Sequence, residues 1–194
     1  MSKSQHRSLR RSAGFTLIEM VVTFAIAAIL LVLAAPSFTT FKRNSELTSA
    51  TNDLVAAIAA TRSEALKSGM SAVVTPATGT SWASGWNVFV DTNNNQTLNS
   101  SEIPILQQGA MPSYISVTGQ GSVVTSLPYI MFDSSGYSKT ASAVFQSVTL
   151  TLARTDVPTS QQATQTRIIV IAKTGRVRAC NPSTDTTCTA TATQ

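Results

Sequence analysis

Near its C-terminus the chain runs Lys173-Thr174-Gly175-Arg176-Val177-Arg178-Ala179-Cys180. On an extended strand, residues two apart point the same way, roughly 6.5–7 Å from each other. Arg176 and Arg178 would therefore share a face, with Val177 turned to the core. Their spacing is close to that of neighbouring phosphates on a nucleic-acid strand, and arginine offers phosphate a planar, permanently charged fork. Gly175 permits a tight turn before them, and Lys173 across that turn adds a third cation. Outward arginines on a strand are also commonly only solvated, or paired with a neighbouring subunit. Few aromatic residues lie near the motif in sequence, so contact with the phosphate backbone is expected rather than base stacking.

A second chemically loaded stretch lies at the other end. Residues 1–14 carry Lys3, Arg7, Arg10 and Arg11 and no acid, and Phe15 to Ala35 are 21 residues whose only charge is Glu19. About 20 apolar residues suffice for a helix to cross a hydrocarbon core. The basic flank would stay cytoplasmic, leaving everything after Pro36 outside. A carboxylate inside such a segment costs about 2.5–3.5 kcal/mol on insertion scales, which marks Glu19 as functional unless it snorkels to the membrane edge.

The run Gly14-Phe15-Thr16-Leu17-Ile18-Glu19, at the head of the apolar segment and after a short basic leader, resembles the class III leader of type IV prepilins and pseudopilins. The resemblance implies cleavage by a prepilin peptidase between Gly14 and Phe15, with N-methylation of the new terminal Phe15. It also gives Glu19 an assembly partner, the amine of Phe15 on a neighbouring subunit. The apolar helix would stay in the mature protein, first as an inner-membrane anchor and then as fibre core.

Losing residues 1–14 would remove four of the 14 basic side chains and leave ten against nine acids, so the formal charge of +5 belongs largely to the leader. What remains is unevenly spread. From Lys139 onward there are six basic residues, Lys139, Arg154, Arg167, Lys173, Arg176 and Arg178, against Asp156 and Asp185. The single histidine, His6, falls in the leader. The mature chain then lacks a histidine for a nucleophile–base pair or a zinc site, and no enzyme activity or cofactor is expected. Cys180 and Cys188 stand in an exported domain, where thiols pair. A disulfide between them would pin the polar tail.

These residues need elements to hold them. Leu47, Leu54, Ile58 and Leu66, with alanines between, follow helical spacing, and one long helix is expected from Phe15 to Lys67, closed by Ser68-Gly69. Pro36 could kink it. Short apolar runs bounded by Gly, Pro, Asn or Ser predict strands at 71–76, 85–91, 103–108, 114–119, 129–136, 145–153 and within 167–180. The organisation expected is a leader (1–14), a transmembrane and fibre-core half-helix (15–35), an amphipathic half-helix (36–69), a β-rich head (70–180) and a polar tail (181–194). The fold class is α+β, a long N-terminal helix packed on an antiparallel β head. Asp91 to Glu102 has the oxygen spacing of an EF-hand loop, but Gln96 replaces the glycine needed at position six and the flanks are strands, so no metal is expected.

The segment around Arg62-Ser63-Glu64-Ala65, together with GWNVFVDTNNN, IMFDSSG and the closing VIAKTGRVR, is similar in order to the GspH/FimT family of minor pilins, with a type IV pilin-like fold. Thr61 stands where that pattern has alanine. Arg62 and Glu64 are two apart and do not face each other on a helix; they are expected to pack against the head or face solvent. Gly175, Arg176 and Arg178 match the GRxR motif of FimT-type minor pilins, which implies non-specific DNA binding in natural transformation. Lys173, Arg167 and Lys139 join the site on charge alone. Major and other minor pilins are the further partners implied, with the head periplasmic and later on a surface pilus. The alternatives are a minor pilin that primes or caps the fibre, and a pseudopilin of type II secretion.

Overall fold

The computed structural model describes residues 14–102 and 104–191. The leader's basic residues Lys3, Arg7, Arg10 and Arg11 lie outside these, as does Ile103 at the start of the third expected strand. The chain divides into two compact units, with the boundary between Lys42 and Arg43.

In the N-terminal unit, helix α1 (Leu17–Ser68) begins two residues later than the apolar pattern suggested. Thr16 and Glu19 explain the start. The Thr16 hydroxyl accepts the Glu19 N–H at 3.3 Å, and the Glu19 carboxylate accepts the Thr16 N–H at 3.5 Å. This reciprocal capping box satisfies two of the amide donors that a helix start leaves over. Position 36 does not break the helix. From Leu17 to Leu33 the large apolar side chains are exposed all round the helix, Leu17 by 83% and Val32 by 73%. A helix apolar on every side needs lipid or protein around it, and this one is long and apolar enough to cross a membrane.

In the second unit α1 turns one stripe inward. Leu47, Thr51, Leu54, Ile58, Thr61 and Ala65 are buried at spacings of three and four. The two threonines are tolerated because each hydroxyl donates to the carbonyl four residues back, Leu47 and Ala57, at 2.7 Å. The helix closes at Gly69, whose φ of +69° suits a left-handed cap and whose N–H donates to the Ala65 carbonyl.

Among the described residues nine strands follow, all paired antiparallel in two sheets: β1 (Ala72–Pro76), β2 (Trp86–Val90), β3 (Pro104–Gln108), β4 (Ile115–Gln120), β5 (Ile130–Phe132), β6 (Ser138–Lys139), β7 (Val148–Arg154), β8 (Thr166–Ile171) and β9 (Val177–Cys180). The first sheet has the order β3-β2-β1-β5-β6 and the second β4-β7-β8-β9. Alternation sorts the side chains: Val74, Val88 and Ile130 join the main core with Leu54, Ile58, Leu150, Leu152, Ile169 and Ile171. Val73, Phe89 and Met131 face the other way, with Tyr129 and Leu98 against them. The long-helix-on-antiparallel-head α+β architecture expected from sequence is what forms. One expected strand is cut short: β5 stops at Phe132 because the Asp133 carboxylate accepts the N–H groups of Ser135 and Tyr137 and turns the chain.

The 91–102 loop is organised by its own side chains. Buried Asp91 accepts the amides of Asn95 and Gln96, and buried Glu102 accepts those of Thr92 and Asn99.

Candidate nucleic-acid interface

The β8–β9 hairpin presents the motif. Ile171 pairs with Val177, the Ala172 amide donates to the Arg176 carbonyl, and the Gly175 amide donates back to Ala172, both at 2.9 Å. Lys173, Thr174 and Gly175 form a three-residue loop whose last member has φ +79°, the αL position at which such loops need glycine. Val177 packs against the core as expected, while Lys173 and Arg176 are exposed at the hairpin tip.

A second turn fits underneath. A Cβ on Gly175 would lie 2.0 Å from the Gly136 carbonyl oxygen and 2.6 Å from Arg62 Nε. Arg62, reaching from α1, donates Nε to the Gly136 carbonyl at 2.9 Å and Nη2 to the Thr174 carbonyl at 3.3 Å. The Ser138 amide donates to the Lys173 carbonyl at 3.0 Å. Thus β6 and β9, the edge strands of the two sheets, meet at this hairpin, and one helix arginine joins both turns. Arg62 was expected only to pack or to be solvated; its role depends on residues 74 and 112 positions away, which local pattern does not reveal.

The other expected cations differ in what they can offer an anion. Arg178 is half-buried. It donates to the Thr187 hydroxyl and carbonyl at 3.3 and 3.2 Å and lies 3.7 Å from Asp185. Both partners belong to the loop closed by the Cys180–Cys188 disulfide, which the structure contains. Hydrogen bonds from Thr187 hold the Asp185 carboxyl below the usual range. Lys139 is near the hairpin, one residue after Ser138, but its ammonium pairs with Asp133 at 2.7 Å and sits 4.8 Å from the centre of the Phe145 ring. Burial pushes against ionisation of Asp133, yet the Lys139 hydrogen bond and the amides of Tyr137 and Ser135 hold its pKa below normal. Arg167 is not brought to the hairpin tip. It lies at the far end of β8, where it donates to the carbonyls of Thr164 and Thr166 and to the side chains of Asn44 and Thr48. Burial lowers its pKa, and its guanidinium serves helix–strand packing.

Lys173 and Arg176 are therefore the tip's accessible charges, with Arg178 next along the strand behind an acidic partner. Aromatics are few near the motif in sequence, but the fold brings the 136–138 turn, with an aromatic pair, up to the hairpin. Tyr137 follows Gly136 directly, its ring is 5.4 Å from that of Phe145 in an edge-to-face pair, and both are exposed, by 42% and 51%. The sites at Gly14, Phe15 and Glu19 belong to the other unit, where Glu19 makes the capping box described above.

The family model for the type II transport protein GspH matches residues 50–175, and that for the prokaryotic N-terminal methylation motif matches residues 9–35. No curated protein sequence matches the chain. Among solved structures, the type IV minor pilin FimU of Pseudomonas aeruginosa PAO1 superposes with a TM-score of 0.55 at 18% identity, covering 74% of this chain and 94% of that one. A second crystal form of FimU gives 0.51 at 17% identity, over 70% and 94% of the two chains. The minor pseudopilin EpsH of the Vibrio cholerae type 2 secretion system gives 0.46 at 15% identity, over 70% and 95%.

Proposed function

Since the chain belongs to the GspH family, as a type IV minor pilin or pseudopilin and not an enzyme, we propose that it is a minor pilin that captures DNA for uptake through its β8–β9 hairpin. The observation that carries this reading is the exposure of Lys173 and Arg176 at one hairpin tip, whose backbone is hydrogen-bonded from below by Arg62. A braced tip spends little entropy on ordering its backbone when a phosphate arrives. Binding is to the phosphate backbone, sequence-independent, weak and salt-sensitive.

The processing and assembly sites follow the same reading. The methylation-motif match over residues 9–35 supports cleavage by a prepilin peptidase after Gly14 and methylation of Phe15. It also supports anchoring in the inner membrane, with a periplasmic head that later reaches the cell surface on a pilus. Thr16 stays in the mature chain, so Glu19 keeps a local hydrogen-bond partner before it meets the Phe15 amine of a neighbouring pilin.

The test uses the full chain in neutral detergent micelles, with labelled duplex DNA over a range of salt. Neutralising two or three phosphates predicts that affinity falls roughly ten- to forty-fold between 50 and 200 mM salt. Arg176→Ala/Arg178→Ala should abolish binding without changing the circular dichroism. Equal binding by the double variant, or none by the wild type at low salt, refutes the reading. One observation favours a purely structural role: a groove of about 480 Å³ beside Arg176 is lined by Val55, Ala59, Leu66 and Val177. On that reading the same variant loses fibres and leaves DNA binding where it was.

A further inference from the structure

The edge strand β6 sends Ser138 into the core at 1% exposure, so its neighbours Tyr137 and Lys139 alternate to the outside. Phe145 joins them there through a β-bridge to Lys139, with the Gln146 amide on the Ser138 carbonyl. The result is an exposed aromatic pair supported by backbone hydrogen bonds. Because the two rings meet edge to face, the pair leaves ring surface uncovered. Lys139 covers part of Phe145, but its charge is spent on Asp133, so it holds the ring and is not a second phosphate ligand. The Ser138 amide on the Lys173 carbonyl, and the packing of Gly175 on Gly136, fix this pair directly beside the basic tip.

Aromatic faces next to cations are how proteins hold unpaired nucleic acid: the charges take the backbone and the rings take the bases, which stack regardless of sequence. In a duplex the base faces are already stacked on each other. We propose that Tyr137 and Phe145 form a base-stacking platform, so that the hairpin prefers single-stranded DNA or a frayed end, with phosphates on Lys173 and Arg176. This rests on the DNA-binding reading above and specifies its ligand.

The full chain in neutral detergent micelles is titrated with three labelled probes: a short thymidine strand, a strand of equal length built of abasic sugars, and a duplex. The first two carry the same phosphates, so their difference isolates the bases. Stacking of one base predicts roughly 5- to 150-fold tighter binding of the thymidine strand than of the abasic one. Tyr137→Leu/Phe145→Leu should erase that gap and leave abasic binding unchanged, with Phe145→Leu alone as the milder variant if the double change disturbs folding. Equal binding of the two strands by the wild type, or a gap that survives in a natively folded variant, overturns the platform while leaving phosphate capture standing. Failure of all three probes at low salt overturns the DNA reading as well, and assigns the rings to contact with another pilin.

Discussion

Replacing Gly175 by alanine is expected to be far more damaging than removing the charge beside it. Gly175 has φ +79°, and an L side chain in that region costs about 1–2 kcal/mol. The new methyl would also lie 2.0 Å from a backbone oxygen, that of Gly136, which no side-chain rotation can clear. The hairpin has to lift by more than an ångström. That movement gives up the charged hydrogen bond of Arg62 to Gly136 and the Ser138–Lys173 backbone bond, which contribute about 1.5–3 and 0.5–1.5 kcal/mol. The total loss is about 3–6.5 kcal/mol, a large part of the 5–15 kcal/mol typical of a domain. Urea titration of the full chain in neutral detergent reads it, because the chain's two tryptophans, Trp82 and Trp86, are both buried in the second unit. The midpoint should fall by about 2 M for an ordinary urea slope. Arg176→Ala should shift stability by less than about 0.5 kcal/mol. Gly136→Ala should fall between the two, since a Cβ there would first meet side-chain atoms, Arg62 Nε at 3.1 Å and Leu66 Cδ2 at 3.2 Å. Arg62→Ala should not rescue Gly175→Ala, because it removes the contact at 2.6 Å and leaves the one at 2.0 Å. A Gly175→Ala protein within 1 kcal/mol of wild type, or one rescued by Arg62→Ala, refutes this account of the junction. It also follows that lost DNA binding in a Gly175 variant is no evidence that DNA touches Gly175.

Asp156 accepts a two-pronged hydrogen bond from Arg154, which is 3% exposed, and another from Arg43. The Arg154 bond, then opposed by burial, holds the Asp156 pKa well below its unfolded value of 3.8. Its stabilisation is therefore complete above that value and drains away as pH falls toward the folded one. Asp156→Asn takes the carboxylate from buried Arg154, which keeps its hydrogen bond to the Gln165 side chain at 3.2 Å; it should cost up to about 3 kcal/mol and flatten the fall of the urea midpoint below about pH 4. Reducing the Cys180–Cys188 disulfide opens a loop spanning eight positions, with an expected loss of about 2.5 kcal/mol in the same titration. Asp185→Asn removes the acidic partner of Arg178 and should tighten DNA binding roughly two- to fivefold at low salt, an effect that fades as salt rises; unchanged affinity would mean that Arg178 stays with Thr187 and does not reach the phosphate.

Much of the fold was legible because it follows short-range periods. Leu47, Leu54 and Ile58 recur at helical spacing, and Val148, Leu150 and Leu152 alternate, and all of these are buried; Leu66, read into the same helical stripe, is 51% exposed, and Ala65 beside it takes the buried position. Gly175 marked its turn because the αL position there leaves little other choice. The pairing of Cys180 with Cys188 followed from compartment chemistry. What sequence did not convey were the contacts between sheet edges. The strand β6 has two residues, too few to show a period, so nothing announced that Tyr137 and Phe145 would stand beside a motif some thirty to forty positions downstream. Arg178 came from the motif and Arg167 and Lys139 from charge alone, and neither signal reveals that Asp185, then Asn44 and Thr48, then Asp133 claim them in turn.

That unequal claim bears directly on mechanism. Lys173 and Arg176 lie in a loop whose backbone is fixed at four points: Ala172 to Gly175, Ala172 to Arg176, Ser138 to Lys173 and Arg62 to Thr174. Arg178 lies on the strand behind, where it already has an anion at 3.7 Å. A phosphate at Lys173 and Arg176 meets side chains that are exposed at the hairpin tip. A phosphate at Arg178 must first displace Asp185, in a loop tethered by the disulfide. If the hairpin captures DNA as proposed, first contact belongs to the more exposed tip, and Arg178 adds to the grip as the nucleic acid settles along β9. Separate variants should show this in kinetics: Arg176→Ala lowers the association rate and its salt dependence, while Arg178→Ala mainly speeds dissociation. The reverse pattern in stopped-flow binding would place first contact on the strand and refute the order argued from these contacts.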